Sequence, residues 1–133
     1  MVRDCKLIAE RNNVIFRFNS YFPIKSLNLM RGVLVAEEDD IKNYYIDNIF
    51  NTIWQDGLNL NDEVIIEKIL KNLNINPKTF TLRSTSSLIK ESLRKKTSEA
   101  FEKGIFGAPT FVSNKKIFWG QDRIEFALKE ASK

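Results

Sequence analysis

The chain has 133 residues, 43% of them hydrophobic and 29% charged, with a net charge of +4. That is the composition of a globular protein of single-domain size, long enough to bury a core. With no histidine and a single cysteine, Cys5, these residues exclude an internal disulfide, a Cys-x-x-C redox pair, a thiolate or imidazole zinc site and histidine general-base catalysis.

The basic residues are scattered, and the densest group, Arg94-Lys95-Lys96, reads as the solvated face of a helix. Without a basic stripe supported by aromatics or a motif, no nucleic-acid partner is expected. No apolar run approaches the length of a membrane span and no signal-peptide core opens the chain, so the expectation is a cytoplasmic protein without a membrane partner.

In chain order, Val2 to Asn12 reads as a helix with Leu7 and Ile8 on its apolar face, stopped by Asn12-Asn13. Val14 to Phe18 is a short extended segment. Ser26 then opens a helix through Leu27, Met30, Val33, Leu34 and Val35. The acidic run Glu37-Glu38-Asp39-Asp40 reads as the start of the next helix, Ile41 to Asp56, where carboxylates complement the dipole; a metal site would need partners the sequence does not show. On that helix Tyr45, Ile49, Ile53 and either Phe50 or Trp54 form a core stripe, and Gly57 ends it.

Asn61-Asp62 caps a helix from Glu63 to Leu73 that buries Val64, Ile65, Ile69 and Leu70. Pro77 fits a first helical turn. Ser84 to Lys103 reads as one long helix with Leu88, Ile89, Leu93, Ala100 and Phe101 on its apolar side. Cys5, on a helical face, reads as a small buried apolar residue. Ser20 and Ser26 carry hydroxyls but no base in any recognisable motif, and Lys25 reads as solvated.

The most informative stretch is Gly104 to Arg123. Pro109 fixes its own φ and pushes Ala108 toward an extended conformation. Thr110 to Val112 and Ile117 to Trp119 form a hairpin around Ser113 to Lys116. Gly120 breaks the second strand, and Asp122 is the expected N-cap of a last helix that runs to Ala131. Two readings fit these residues. One is an ordinary hairpin followed by a helix. The other is a receptor for a short peptide bearing both an amine and a carboxylate. In that case, with a cis bond before Pro109, Ala108 offers its backbone to an extended ligand, the helix start attracts a carboxylate and Asp122 meets an ammonium.

GIFGAPTF and IFWGQDRIEF, in that order with a hairpin between, resemble the C-terminal signature of the DsbA-like thioredoxin superfamily. The branch they resemble most comprises the 2-hydroxychromene-2-carboxylate isomerases and kappa-class glutathione transferases. Upstream, Arg3-Asp4, Phe16-Arg17-Phe18 and Phe22-Pro23-Ile24-Lys25-Ser26-Leu27 with Arg31 resemble further passages of that family, Lys25 standing where it usually has asparagine.

The resemblance implies an α/β, mostly α, fold: a single incomplete domain over 1–133, with a helical insertion at about 19–103 and a thioredoxin hairpin and helix at about 104–133. It also implies that the N-terminal βαβ unit, with its catalytic serine or cysteine, lies outside these residues, so no catalytic residue is expected among them. Glutathione is the implied cofactor, held by the backbone of Ala108 beside Pro109 and by Gln121 and Asp122. The implied activity is a glutathione-dependent isomerase or transferase acting on a small aromatic carboxylate. The alternative is a non-catalytic remnant or helical interaction module that forms a homodimer or pairs with an N-terminal fragment.

Overall fold

Capping side chains mark the starts of two helices and the end of a third. The structure, a computed structural model, describes residues 1–133 and divides into two compact units, Met1–Leu93 and Arg94–Lys133. In the first unit, α1 (Val2–Arg11) is closed by Asn12, whose side-chain amide donates to the Ile8 carbonyl at 2.7 Å. Helix α2 (Leu27–Glu38) leads into α3 (Lys42–Asn51), which continues through one π turn, Thr52–Asp56, to Gly57 at φ 70°. Helix α4 (Glu63–Asn72) is capped by Asp62, which accepts from the Val64 N–H at 2.9 Å. Helix α5 (Pro77–Ser84) is capped by Asn76, which accepts from the Thr79 N–H at 3.2 Å, with proline in the first turn where no donor is lost.

Helix α6 (Ser87–Glu102) begins after a break at Thr85-Ser86, so the single helix expected from Ser84 is two. The reason is local: the Ser84 and Thr85 hydroxyls both donate back to the Thr81 carbonyl and close α5.

The core of this unit gathers Leu34, Val35 and Ala36 of α2, Tyr45 and Ile49 of α3, Leu60 of the loop before α4, Ile69 and Leu70 of α4, Phe80 of α5 and Ile89 of α6. Val64 and Leu88, expected on the apolar faces of their helices, are exposed instead, and of the alternatives Phe50 and Trp54 it is Phe50 that is exposed and Trp54 that is half-buried. Each exposed one lies beside the buried stripe of its helix, where apolar character alone does not separate a flank from a face. Phe101, on the part of α6 that belongs to the second unit, is exposed as well.

Gly32 lets α2 approach the Tyr45–Phe80 ring pair, whose centroids are 5.5 Å apart. A Cβ there would stand 2.3 Å from the Tyr45 hydroxyl oxygen and 3.1 Å from the Phe80 ring. Gly32→Ala is expected to destabilise by about 1–3 kcal/mol through overpacking, read as a lower urea midpoint; an unchanged midpoint would show that the ring pair gives way freely. The Tyr45 hydroxyl donates to the Leu29 carbonyl at 3.3 Å, and burial raises its pKa above the ordinary phenol value.

The acidic run does not start a helix. Glu37 and Glu38 close α2, and no acidic residue lies in the first turn of α3. Carboxylates at a helix C-terminus oppose the dipole, and cations answer them here: Lys42 reaches Glu37 at 2.6 Å, while the two arms of Arg83 reach Glu38 and Asp39 at 2.8 Å each. The hydrogen bonds to Asp39 and Glu38 hold the Arg83 guanidinium above its already high ordinary value.

Val14 to Phe18 is extended but belongs to no sheet, because no strand lies alongside to complete a ladder. It is tied instead to the end of α3 and its π turn. The Arg17 N–H donates to the Trp54 carbonyl at 2.6 Å, and the Asn19 side-chain amide donates to the carbonyls of Ile53 and Leu58 at 3.0 and 2.9 Å.

The second unit holds the end of α6, the loop from Gly104 to Pro109, the antiparallel pair β1 (Thr110–Ser113) and β2 (Lys116–Trp119), a 3₁₀ turn at Gln121–Arg123 and α7 (Ile124–Ala131). Asn114 and Lys115 form a two-residue turn with φ of 47° and 63°, the positive values that primed hairpin turns require. The register pairs Thr110 with Trp119, Phe111 with Phe118, Val112 with Ile117 and Ser113 with Lys116.

Helix α7 packs across both strands, and Glu130 at its end takes Lys116 and Lys133 at 2.8 Å each. Hydrogen bonds from these two ammonium groups pull the Glu130 carboxyl down from 4.5 to about 2. A carboxyl lowered in the folded state stabilises above its ordinary value. That contribution is expected to be lost as pH falls from about 4.5 through about 2. The check is an NMR titration of Glu130: Lys116→Met should return it toward the ordinary range, and an unaltered titration would exclude the pair as the cause.

Candidate functional site

The residues singled out in the sequence, Ala108, Pro109, Gln121 and Asp122, all lie in the second unit, at the end of the hairpin where the chain enters β1 and leaves β2. The Ala108–Pro109 bond is cis. The last ladder bond runs from the Gly120 N–H to the Pro109 carbonyl at 2.9 Å, so the Ala108 N–H and C=O stand one residue beyond the ladder, on an exposed residue. Thr110 Oγ1 donates to the Gly107 carbonyl and closes the loop from within.

Gly107 lies directly under Trp119. A Cβ on it would come within 2.6 Å of the indole Nε1, so a side chain there would displace that ring. Gly120, at φ 106°, turns the chain out of β2 and into the 3₁₀ turn.

Asp122 does not cap a helix as expected. It sits inside the 3₁₀ turn, and α7 starts at Ile124 behind Arg123 with no side-chain cap. The tighter turn takes up the residues that would have formed a cap box, and the Asp122 carboxylate folds back to where a Gly120 side chain would be, 2.6 Å from that Cβ position. It is 68% exposed and meets the neighbouring Arg123 guanidinium at 3.8 Å, beyond hydrogen-bond range. Gln121 is exposed beside it.

The aromatics of the hairpin divide between its two faces. Phe111 and Phe118 pair on the face that carries Lys116 and its contact to α7, while Trp119 stands on the opposite face and meets Phe106 at 5.1 Å between ring centroids. Neighbours along a strand point to opposite faces, so Phe118 and Trp119 cannot share one.

Arg123 is a residue the sequence reading left without a role. Its guanidinium lies 5.7 Å above the Phe126 ring. The arginine-to-aromatic spacing of three on a helix was the signal that could have found it.

The remaining candidates lie in the first unit. Cys5 is exposed rather than buried and lines an open apolar cleft of about 510 Å³ with Trp54, Phe16 and Phe22. Ser20, Lys25 and Ser26 are exposed; the Lys25 backbone N–H donates to Asn61. No group of three or more Cys, Asp or Glu side chains is placed to hold a metal ion. No helix is long and apolar enough to cross a membrane.

The profile of the DSBA-like thioredoxin domain matches residues 1–131. The chain belongs to that family. This DSBA-like domain is 24% identical over 126 residues to a 2-hydroxychromene-2-carboxylate isomerase of Sphingobium xenophagum, a match covering 95% of this chain and 64% of the relative. It is 29% identical over 87 residues to the enzyme of that name from Pseudomonas sp. (strain C18), covering 65% of this chain and 41% of the relative. Among solved structures, a selenomethionine 2-hydroxychromene-2-carboxylate isomerase superposes with a TM-score of 0.84 at 22% identity, over 97% of this chain and 62% of that one. At that identity the likeness shows the fold: a mostly helical DSBA-like thioredoxin architecture with a two-stranded sheet. The DSBA-like domain thus spans less than two thirds of the length of these relatives.

Proposed function

We propose that this chain is part of a glutathione-dependent isomerase or transferase of the 2-hydroxychromene-2-carboxylate isomerase type. The observation that carries the reading is the pairing, within one unit, of a backbone offered at Ala108 with an exposed, weakly engaged carboxylate at Asp122. Glutathione is a short extended peptide with an amine and a carboxylate at its γ-glutamyl end, and its cysteinyl and γ-glutamyl parts have counterparts in this reading. The Ala108 N–H and C=O fit the cysteinyl main chain, as an edge strand pairs with a peptide. The Asp122 carboxylate fits the ammonium and Gln121 the adjacent carboxylate. When bound, glutathione would supply the reacting thiol, and this chain would hold it and orient an aromatic acid beside it. No catalytic residue is assigned within these residues.

The test is heat denaturation of the chain across a glutathione titration. Saturable stabilisation is expected, reaching about 2.7 kcal/mol at about 100 times the dissociation constant. Asp122→Ala should abolish most of it without changing the melting of the free chain, because the side chain is exposed. No stabilisation at millimolar glutathione would leave the cofactor reading without support.

A second reading, an interaction module that dimerises or pairs with a fragment carrying the rest of the fold, is favoured by apolar exposure. In the first unit the open cleft is walled by Val14, Ile15, Phe16, Phe22 and Trp54. In the second, Phe106, Val112 and Trp119 are exposed on and beside the hairpin. Light scattering over a concentration series separates the readings: a concentration-independent monomer removes the dimer.

A further inference from the structure

We infer that the cavity between α2, α4 and α5 is a binding site for a free α-amino acid with an apolar side chain. It lies in the first unit and is independent of the glutathione reading. The cavity measures about 450 Å³, and the core side chains Leu29, Tyr45, Leu70 and Phe80 line its floor. The Tyr45 hydroxyl is given to the Leu29 carbonyl, and the Ser84 and Thr85 hydroxyls on the wall are given to the Thr81 carbonyl. The floor is thus left to apolar contact, and the groups that orient a ligand stand on the rim.

That rim is polarised. Glu63 and Glu67 line the cavity from α4, while Asn28 and Lys78 line it from α2 and α5, two helices packed against each other. Glu67 holds Lys71 at 3.4 Å, whereas Glu63 and Lys78 form no ion pair. The Arg31 guanidinium donates to Asn28 Oδ1 at 3.0 Å, which leaves the Asn28 amide N–H groups as donors. Charged acceptors therefore come from α4, and donors from α2 and α5. A ligand that answers both carries an ammonium and a carboxylate. An amine alone leaves Lys78 and Asn28 unanswered, and an acid alone leaves Glu63. A round cavity of this volume is roughly 9 Å across, a span that one amino-acid backbone covers with a hydrogen bond of about 2.8 Å at each end. Its side chain is left for the floor, where burial supplies affinity. The rim charges are exposed, so they set selectivity by a few-fold rather than by orders of magnitude.

The experiment follows the amide NMR spectrum of the full chain with L-leucine as the probe. Two analogues keep its side chain but carry one charge each: 3-methylbutylamine has only the amine and 4-methylpentanoate only the acid. Saturable shifts are expected at the amides around Asn28, Glu63 and Lys78 at millimolar leucine, with each analogue binding about threefold more weakly. Glu63→Gln should weaken leucine and the amine by about threefold while sparing the acid. Lys78→Gln should weaken leucine and the acid by a similar factor while sparing the amine. Both side chains are exposed, so the variants keep the fold, and their own spectra check it. Shifts that do not saturate or that fall outside these helices, equal affinity for the three probes, or full leucine affinity in either variant would overturn the site. The titration contains no glutathione and reads the first unit, so its failure leaves the glutathione reading in place, and failure of that reading leaves this site in place.

Discussion

Asn19→Ala is expected to destabilise the first unit by on the order of 3–5 kcal/mol. Asn19 is 1% exposed, and its side chain makes three hydrogen bonds: two donated to the Ile53 and Leu58 carbonyls, and one accepted from the Tyr21 N–H at 2.8 Å. Alanine removes every partner at once and leaves two carbonyls and one N–H unpaired in a part-buried site, each costing about 1–3 kcal/mol where water does not reach it. Asn19→Asp keeps the acceptor for Tyr21 but loses both donors and buries a charge among carbonyls, so it should fare no better than alanine. Urea denaturation measures both. A loss below about 1 kcal/mol in Asn19→Ala would mean that water reaches the freed groups, and the assignment of Asn19 as the organiser of this region would fall.

Leu70→Ala is expected to cost about 2–5 kcal/mol, because Leu70 is 1% exposed at the centre of the core and its removal leaves a cavity that packed helices fill only in part. Val64, on the same helix, supplies the control. It is 71% exposed, so Val64→Ala should change stability by less than about 0.5 kcal/mol. Both were read from sequence as inward-facing, and the pair of measurements separates burial from hydrophobicity. Comparable losses at the two positions would overturn the orientation of α4.

Much of the fold was legible because it depends on neighbours in sequence. Asp62 and Asn76 cap helices, Gly57 ends one, and the Asn114-Lys115 turn with its flanking strands gives the hairpin. What was not legible depends on distant partners. The acidic run at 37–40 reads as a helix start until Arg83, some 45 residues away, explains why it can end one instead. Trp54 reads as core until Phe16, Phe18 and Phe22 are seen around it, at ring separations of 5.8 to 6.3 Å. The candidate site shows the same division. Ala108, Pro109, Gln121 and Asp122 were found through a contiguous signature. The uncapped position of Asp122 and the place of Arg123 over Phe126 depend on a 3₁₀ turn that propensity does not announce.

The π turn at Thr52–Asp56 leaves the last carbonyls of its helix without partners further along the same helix, as any helix end does. Here the orphans are met from upstream. The Ile53 carbonyl is taken by Asn19, 34 residues earlier, the Trp54 carbonyl by the Arg17 amide and the Asp56 carbonyl by the Arg17 guanidinium at 3.5 Å, a cation at the negative end of the dipole. The segment Arg17–Asn19, which carries no regular structure of its own, is thus the C-terminal cap of a helix formed much later in the chain. Neither partner keeps its polar groups paired alone, so the two fray together and are a single cooperative element despite their separation in sequence.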